Sequence, residues 1–163
     1  MQSTSRRAVA LLVAAVVALA AAATFAVIES RHASHASSLS HERTNVTALA
    51  GQYAVDFTSI DYRHMQDQAK AEAKNATSAF GNVYTATIQT FGTYYTKHQI
   101  VETTSVQRAA LSSLNSTTAV ALVALRGVTT TSTNKTGSPQ LLRILITMTK
   151  VNGHWLTSNL APQ

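Results

Sequence analysis

The pattern of apolar residues changes at Gly92, and this change constrains the fold more than any other feature of the chain. Before Gly92, apolar residues recur every three or four positions, which is the period of one helix face. After it, Thr, Val, Ile and Leu dominate and apolar residues alternate with polar ones, as in half-buried strands. Helices followed by strands predict an α+β domain, with the helices packed against one side of an antiparallel sheet.

Three helices are predicted before Gly92. The first covers residues 46–57, where apolar residues have the spacing of a single helix face. The second covers residues 61–75, with Asp61 as its N-cap and an alanine-rich run in its middle. The third covers residues 77–92, and its predicted apolar stripe consists of Phe80, Val83, Tyr84, Thr87, Ile88 and Phe91.

Four strands are predicted in the rest of the chain, at residues 100–114, 118–131, 140–151 and 155–161. Their connections are short enough for successive hairpins, which gives an antiparallel sheet. Asn152 and Gly153 lie between the last two strands and supply the two positive φ angles of a type I′ turn. The third strand alternates clearly, and its better-buried face is formed by Leu142, Ile144, Ile146 and Met148.

An apolar segment at residues 8–28 precedes these elements. A helix of this length matches the hydrocarbon core of a bilayer, so the segment is predicted to be a transmembrane helix with the lipid bilayer as its partner. Arg6 and Arg7 lie just before it and place the N-terminus, residues 1–7, in the cytoplasm. The chain is therefore expected to be a single-pass protein of the cell membrane, with its C-terminal domain in the envelope or outside.

A cleaved signal peptide is the alternative interpretation of the same segment. Arg6 and Arg7, an apolar core and the alanines at residues 21–23 supply its three parts. The apolar run continues beyond those alanines, which favours retention of the segment as an anchor. Both interpretations export the domain.

The anchor is followed by a polar segment, residues 29–44, which is predicted to be a stalk. Residues 45–163 then form the domain, a length that suits one core. The chain has no cysteine, which excludes disulfides, thiolate catalysis and zinc bound by cysteine. The net charge is +6, but only 12% of the residues are charged and the basic ones are scattered, so nucleic acid is not expected as a partner.

Three stretches of the sequence resemble the Mce-associated membrane proteins of actinobacteria. Residues 58–63 read TSIDYR, residues 80–84 have the form Phe-x-x-x-Tyr, and residues 151–156 read VNGHWL before a final Leu-Ala-Pro. These stretches follow the basic N-terminus and the apolar span in the order typical of that family. The resemblance covers nearly the whole chain, although the sheet is richer in threonine than is usual there.

The resemblance implies an NTF2-like domain, a cone of three helices packed on a curved four-stranded antiparallel sheet. It also implies a non-enzymatic accessory protein that stabilises or assembles an Mce-type lipid transport complex, with transporter subunits as partners and a homo-oligomer as a further option. The alternative function is a lipid-binding domain that holds an acyl or sterol ligand between the helices and the sheet.

An enzyme of the isomerase or dehydratase type is the least favoured function. Residues 100–163 contain one carboxylate, Glu102, and one histidine, His154, so an acid/base pair on the strands is nearly absent. Asp56, Asp61, Tyr62 and His64 are close in sequence, but an N-cap and a core aromatic explain Asp61 and Tyr62. No catalytic residues and no cofactor are predicted.

Six aromatic residues are the candidates for a pocket or an interface: Tyr53, Phe57, Tyr62, Tyr84, Tyr94 and Trp155. Aromatic rings combine a large apolar area with a polar tip, and they line both cores and binding sites. His32, His35 and His41 have helical spacing in part, but a polar stalk guarantees neither a well-placed carboxylate ligand nor a fixed second shell. No metal site is predicted.

Overall fold

A computed structural model of the chain describes residues 39–163. The predicted cytoplasmic segment 1–7, the predicted span 8–28 and most of the predicted stalk lie outside the described residues. Residues Arg43–Gln163 form one structural unit. Within the described part of the chain, no helix has both the length and the apolar character needed to cross a bilayer.

Helices come first and strands second, as the sequence predicts. The described part of helix α1 occupies residues 39–58. The elements after it are strand β1 at Ile60–Asp61, helix α2 at Met65–Glu72 with a 3₁₀ turn at Ala73–Asn75, helix α3 at Ser78–His98, and strands β2 at Val101–Leu114, β3 at Thr118–Thr130, β4 at Ser138–Val151 and β5 at His154–Pro162.

The strands form one antiparallel sheet in the order β1-β2-β3-β4-β5. The sheet has five strands where the sequence predicts four, because Ile60 and Asp61 pair with Glu102 and Val101. A strand of two residues is too short to show an alternating pattern. The four long strands lie within two residues of their predicted bounds, and Asn152 and Gly153 have the positive φ angles, 50° and 83°, expected for the turn between β4 and β5.

Strand β2 carries two irregularities. Its pairing with β3 shifts between Val106 and Arg108 and again between Leu111 and Ser113. Each shift inserts an extra residue, which bends the strand and increases its twist. On its other side β2 pairs with β1 through two residues only, so most of its length is a sheet edge among the described residues.

Helix α1 covers one face of the sheet, which we call the inner face. Val46, Ala50 and Ala54 of α1 are fully buried there, together with Ala119 and Ala121 of β3. Small side chains at these positions let the helix and the sheet approach closely. The remaining buried members of this core are Val123, Leu125, Ile144, Ile146, Met148 and Trp155.

The start of the second helix differs from the prediction. Helix α2 begins at Met65 after His64, whose side chain makes no capping hydrogen bond. Asp61 lies in β1, and its carboxylate accepts hydrogen bonds from the backbone N–H and the guanidinium of Arg63. The prediction of Asp61 as an N-cap is wrong, because Arg63 occupies the carboxylate oxygens that would have capped the helix.

Helix α3 also differs from the prediction, because it continues through Gly92 to His98. Gly92 is buried beside Met65 of α2, and a Cβ atom there would lie 3.4 Å from Met65 Cε, at an ordinary contact distance. The buried side of α3 includes Gly81 and Ile88. Val83 and Phe91 of the predicted stripe are 64% and 52% exposed, so the buried stripe is rotated from the predicted one.

A group of three hydroxyls joins the end of α1 to β2. The Thr104 hydroxyl lies 2.8 Å from that of Thr58 and 2.9 Å from that of Ser59. The backbone N–H of Thr104 also donates to the Ser59 hydroxyl over 3.2 Å. Thr104 is buried, so its hydroxyl depends on these partners for its hydrogen bonds.

We expect Thr104→Val to lower the free energy of unfolding by about 1–2 kcal/mol, because it removes the buried hydroxyl that bonds Thr58 and Ser59 while keeping the side-chain shape. Urea unfolding monitored by the fluorescence of Trp155, the only tryptophan, measures the change. Thr103→Val on the exposed side of the same strand is the matched control and should have little effect. Equal destabilisation by both substitutions would contradict the assignment.

Candidate functional site

An aromatic–carboxyl cluster lies where α1, α2 and α3 meet, and it consists of Phe57, Glu72, Phe80 and Tyr84. The ring of Phe57 contacts Tyr84 edge-on with centroids 4.9 Å apart, and it contacts Phe80 in the same way at 5.3 Å. Phe80 and Tyr84 are stacked at 6.4 Å. Edge-on and offset contacts of this kind are the favoured arrangements of aromatic rings.

Local sequence signals bring these four side chains together. The side chain of Thr77 accepts a hydrogen bond from the backbone N–H of Phe80 and starts helix α3. Phe80 and Tyr84 are four residues apart and therefore lie on one face of α3. Glu72 is the last residue of α2 and follows Met65 and Ala69 on the buried face of that helix.

The polar centre of the cluster is a hydrogen bond from Tyr84 to Glu72. Tyr84 Oη donates to Glu72 Oε2 over 2.5 Å. Burial raises the pKa of Glu72 to about 7, an effect that the Tyr84 hydrogen bond opposes and the charge of Asp56 reinforces. Burial, followed by the hydrogen bond to Glu72, also raises the pKa of Tyr84 well above its ordinary value.

A carboxyl with a pKa near 7 has the proton affinity of a general acid or base, so Glu72 is a candidate for proton transfer. Catalysis would also need space for a substrate next to the carboxyl. The rings of Phe57 and Phe80 pack against the ring of Tyr84, and the Tyr84 hydroxyl occupies one oxygen of the carboxyl. The geometry therefore suits a buried structural hydrogen bond better than a reaction site.

Two grooves lie elsewhere on the described surface. A groove of about 640 Å³ runs between α2 and α3, with Tyr62, Arg63 and Lys97 among its lining residues. A second groove of about 600 Å³ lies between α1 and β2, and its lining includes Gly51 and Val106. Neither Glu72 nor Tyr84 lines either groove.

The structure brings four of the six predicted site residues together in two pairs. Phe57 and Tyr84 belong to the aromatic–carboxyl cluster. Tyr53 Oη donates a hydrogen bond to the backbone carbonyl of Trp155 over 3.3 Å, which ties α1 to β5. Trp155 is buried, and Lys150 Nζ lies 5.2 Å from its ring centre. Tyr53 and Trp155 therefore belong to the core.

Tyr62 and Tyr94 lie apart from these pairs. Tyr62 lines the groove between α2 and α3, with the Arg63 guanidinium 5.8 Å from its ring centre. Tyr94 is 57% exposed on α3 and contacts His98 at a ring distance of 4.5 Å. The six candidates therefore do not form one site.

Sequence reasoning missed Glu72 and treated Phe80 only as part of a helix stripe. A signal for Glu72 was present, because it lies three residues after Ala69 and seven after Met65, on the apolar face of α2. A carboxylate at such a position is buried when the helix packs through that face. The alanine-rich run around Glu72 indicates a helix but does not by itself indicate that this carboxylate is buried.

The acidic residues near Asp61 do not form a catalytic pair. Asp56 accepts a hydrogen bond from Gln52 over 2.7 Å. The hydrogen bond from the Arg63 guanidinium lowers the pKa of Asp61 to about 2, so this carboxylate stays ionised at neutral pH. Among residues 39–163 no group of His, Asp and Glu is arranged to hold a metal ion, and His32 and His35 lie outside this range.

The face of the sheet opposite α1, which we call the outer face, is open. Side chains of β3 alternate, so that Val123 and Leu125 are buried while Leu122 and Arg126 are exposed. In β4, Leu141 on the outer face is 82% exposed. A large apolar side chain this exposed has no partner within the described residues.

A family model described as "Uncharacterized protein Rv1363c/MT1408-like" matches residues 5–161. No curated protein sequence shows a significant match. The expected association with Mce transporters therefore stays a prediction.

Solved structures resemble the domain at low sequence identity. An IcmL-like type IV secretion system protein from Legionella pneumophila has a TM-score of 0.64 at 15% identity, and the match covers 74% of this chain and 91% of that one. The periplasmic domain of DotI has a TM-score of 0.62 at 12% identity, with 72% and 92% covered. An Ntf2-like protein involved in plasmid conjugation has a TM-score of 0.51 at 10% identity, with 74% and 48% covered. These likenesses show an NTF2-like fold, as the resemblance to Mce-associated proteins implies.

We expect the free energy of unfolding to decrease as the pH rises from about 4.5 to 7, because Glu72 binds a proton more tightly in the folded chain than in the unfolded one. The stabilising effect of the neutral carboxyl is complete below its ordinary pKa of 4.5 and is lost as the pH rises through about 7. Glu72→Gln keeps an acceptor for Tyr84 and stays neutral, so at pH 8 it should raise the free energy of unfolding by about 1–3 kcal/mol.

Urea unfolding of wild type and variant at several pH values measures this difference. The two proteins should be nearly equally stable at pH 4.5. Asp67→Asn removes an exposed carboxylate from the same helix and is the control, since its ion pair with Lys70 is at the surface. A constant difference between Glu72→Gln and wild type across the range would contradict the raised pKa.

Proposed function

The chain belongs to the Rv1363c/MT1408-like family, and we propose that it is a non-enzymatic accessory protein that helps to assemble a multi-protein complex of the cell envelope. In this proposal residues 8–28 anchor the chain in the cell membrane with its N-terminus in the cytoplasm. The stalk sets the distance of the domain from the membrane. The NTF2-like domain binds partner subunits on the far side.

The open outer face of the sheet is the observation that carries the proposal. Leu122 is 43% exposed on that face beside partly exposed Val120 and Leu145, and Leu141 is 82% exposed further along β4. Grouped apolar side chains on a protein surface mark interaction sites. The Tyr84–Glu72 pair, in contrast, is an internal hydrogen bond that lines neither groove, which argues against catalysis in the helical layer.

Proteins of similar fold support the same role. Among them are a type IV secretion system protein and an Ntf2-like protein involved in plasmid conjugation, and another is a periplasmic domain. A domain of this fold outside the cytoplasm agrees with the orientation that Arg6 and Arg7 predict. At 10–15% identity the likeness supports a general role rather than a particular complex.

For the particular complex we propose an Mce-type lipid transporter. The support comes from the sequence stretches at residues 58–63, 80–84 and 151–156, which resemble Mce-associated membrane proteins. In this form of the proposal the protein stabilises or assembles the transporter subunits and does not handle the lipid itself.

A second candidate function is lipid binding, and the groove between α1 and β2 favours it. Its volume of about 600 Å³ is within the range of small-molecule sites. Its apolar lining includes Val106, Ala109 and Leu111. Mass spectrometry of gently purified full-length protein tests this function, and preparations that contain no acyl or sterol ligand would exclude it.

Photo-crosslinking in native membranes tests the proposed function. A photoreactive amino acid at Leu141, on the outer face, should form adducts with transporter subunits, and the intact mass of the chain should include residues 8–28. The matched control carries the same amino acid at Val83, which is 64% exposed on α3 and should form none of these adducts. If neither position captured a subunit of any envelope complex, an accessory role would be excluded.

A further inference from the structure

The register of the strands places a row of apolar residues across the outer face. Leu122 pairs with Ala110 of β2 and with Leu145 of β4, and Leu145 pairs with Ala161 of β5. Paired residues of neighbouring strands present their side chains on the same side of a sheet. The row therefore crosses four strands in the middle of the outer face.

Two arginines lie in the row next to this apolar row, and a third lies one row further along the sheet. Ala124 pairs with Arg108 of β2 and with Arg143 of β4, which puts both arginines in the next row of the outer face. Their Cα atoms are two strand spacings apart, or about 10 Å. Arg126 is two residues further along β3 and is the diagonal neighbour of both. All three arginines are exposed.

Among residues 39–163, none of these three arginines is found in an ion pair with a carboxylate. Residues 103–163 contain no Asp or Glu. The ion pairs found among the described residues join Arg63 to Asp61 and Lys70 to Asp67, away from the long strands. Like charges at diagonal positions repel one another, so the arginine group does not serve the stability of the sheet.

Guanidinium groups are suited to binding anionic groups. Each offers a planar fork of N–H donors that matches a carboxylate or a phosphate and loses its water more readily than an ammonium group. Arginine beside exposed apolar residues is also the composition of protein interfaces, whose centres are apolar and rich in Arg. The apolar row and the arginine group together have that composition.

Charge distinguishes between the occupants of this face. A second copy of the chain would bring three further guanidinium groups against the first three, and like charges in an interface oppose binding. An anionic membrane would gain only about 1 kcal/mol from each cation near its surface. A protein surface that carries apolar side chains and carboxylates can contact both the apolar row and the arginine group. Its carboxylates then form charge pairs with the arginines inside the interface, away from water.

We propose that the outer face binds an acidic protein surface, with carboxylates opposite Arg108, Arg126 and Arg143 and apolar side chains opposite Leu122 and Leu145. This inference rests on the proposed accessory function and names the chemistry of the partner. The arginine group sets the orientation of that partner, and the apolar row supplies the buried area.

Charge reversal is the first test and is made in the full-length chain in native membranes. Arg126→Glu should lower the recovery of the photo-crosslinked partner at Leu141 by about tenfold or more, whereas Arg126→Lys should keep most of it, since a single charge pair in an interface contributes more than 1.4 kcal/mol. Lys74→Glu makes the same change of charge at an exposed position on the helical side and should have no effect. Unfolding followed by Trp155 fluorescence verifies that each variant folds.

Chemical crosslinking is the second test, and it detects carboxylates of the partner that are in contact with the outer face. Arg126→Lys and Arg143→Lys together place two amines on the outer face, which a water-soluble carbodiimide joins to carboxylates in direct contact. The double variant should gain an adduct with another protein that wild type lacks. A gained adduct with the mass of a second copy of this chain, or with the mass of a lipid, would overturn the inference.

The two proposals fail in different ways. If neither Leu141 nor Val83 captures an envelope protein in the otherwise unchanged chain, the accessory function is excluded and the acidic partner falls with it. If wild type captures such a protein and Arg126→Glu captures it equally well, the accessory function stands and the acidic partner is excluded.

Discussion

The close packing of α1 on the inner face is the constraint on which the rest of the domain depends. Ala50 and Ala54 meet Ala119 and Ala121 without exposure to solvent, and a Cβ atom on Gly51 would lie 3.3 Å from Val106 Cγ2. Side chains this small allow the helix backbone to lie near the sheet, where it shields the larger residues of β3 and β4. Because strand residues alternate between faces, burial of the inner face leaves the side chains of the outer face exposed.

The sequence predicts the parts of this fold that depend on local patterns. The α+β class, the four long strands and the turn at Asn152 and Gly153 follow from alternation and turn chemistry within a few residues. The parts that depend on distant contacts were missed. Strand β1 exists because Ile60 reaches Glu102, and α3 continues through Gly92, which lies buried beside Met65 of α2. Of the candidates for a pocket or an interface, which were chosen for their aromatic character, Phe57 and Tyr84 lie in contact, but Glu72 appears beside Tyr84 only after α2 and α3 are placed.

The ionisable groups of the domain fall into two kinds. Glu72 and Asp61 each have an internal partner, Tyr84 and Arg63, which fixes a hydrogen bond or a loop. Arg108, Arg126 and Arg143 form no ion pair with a carboxylate in the part of the chain that the structure describes. Charges that are paired within the domain serve its folding, whereas charges without an internal partner are available for contacts with other molecules.

The irregular pairing of β2 affects how copies of the domain behave when they are crowded together. A straight edge strand is a template for another strand, and crowded proteins with such edges join through their backbones into aggregates. The shifts after Val106 and Leu111 twist β2 and interrupt the even spacing of its free N–H and C=O groups. Copies of the domain can therefore reach high local density without polymerising through this edge, and recognition is left to side chains that can tell one neighbour from another.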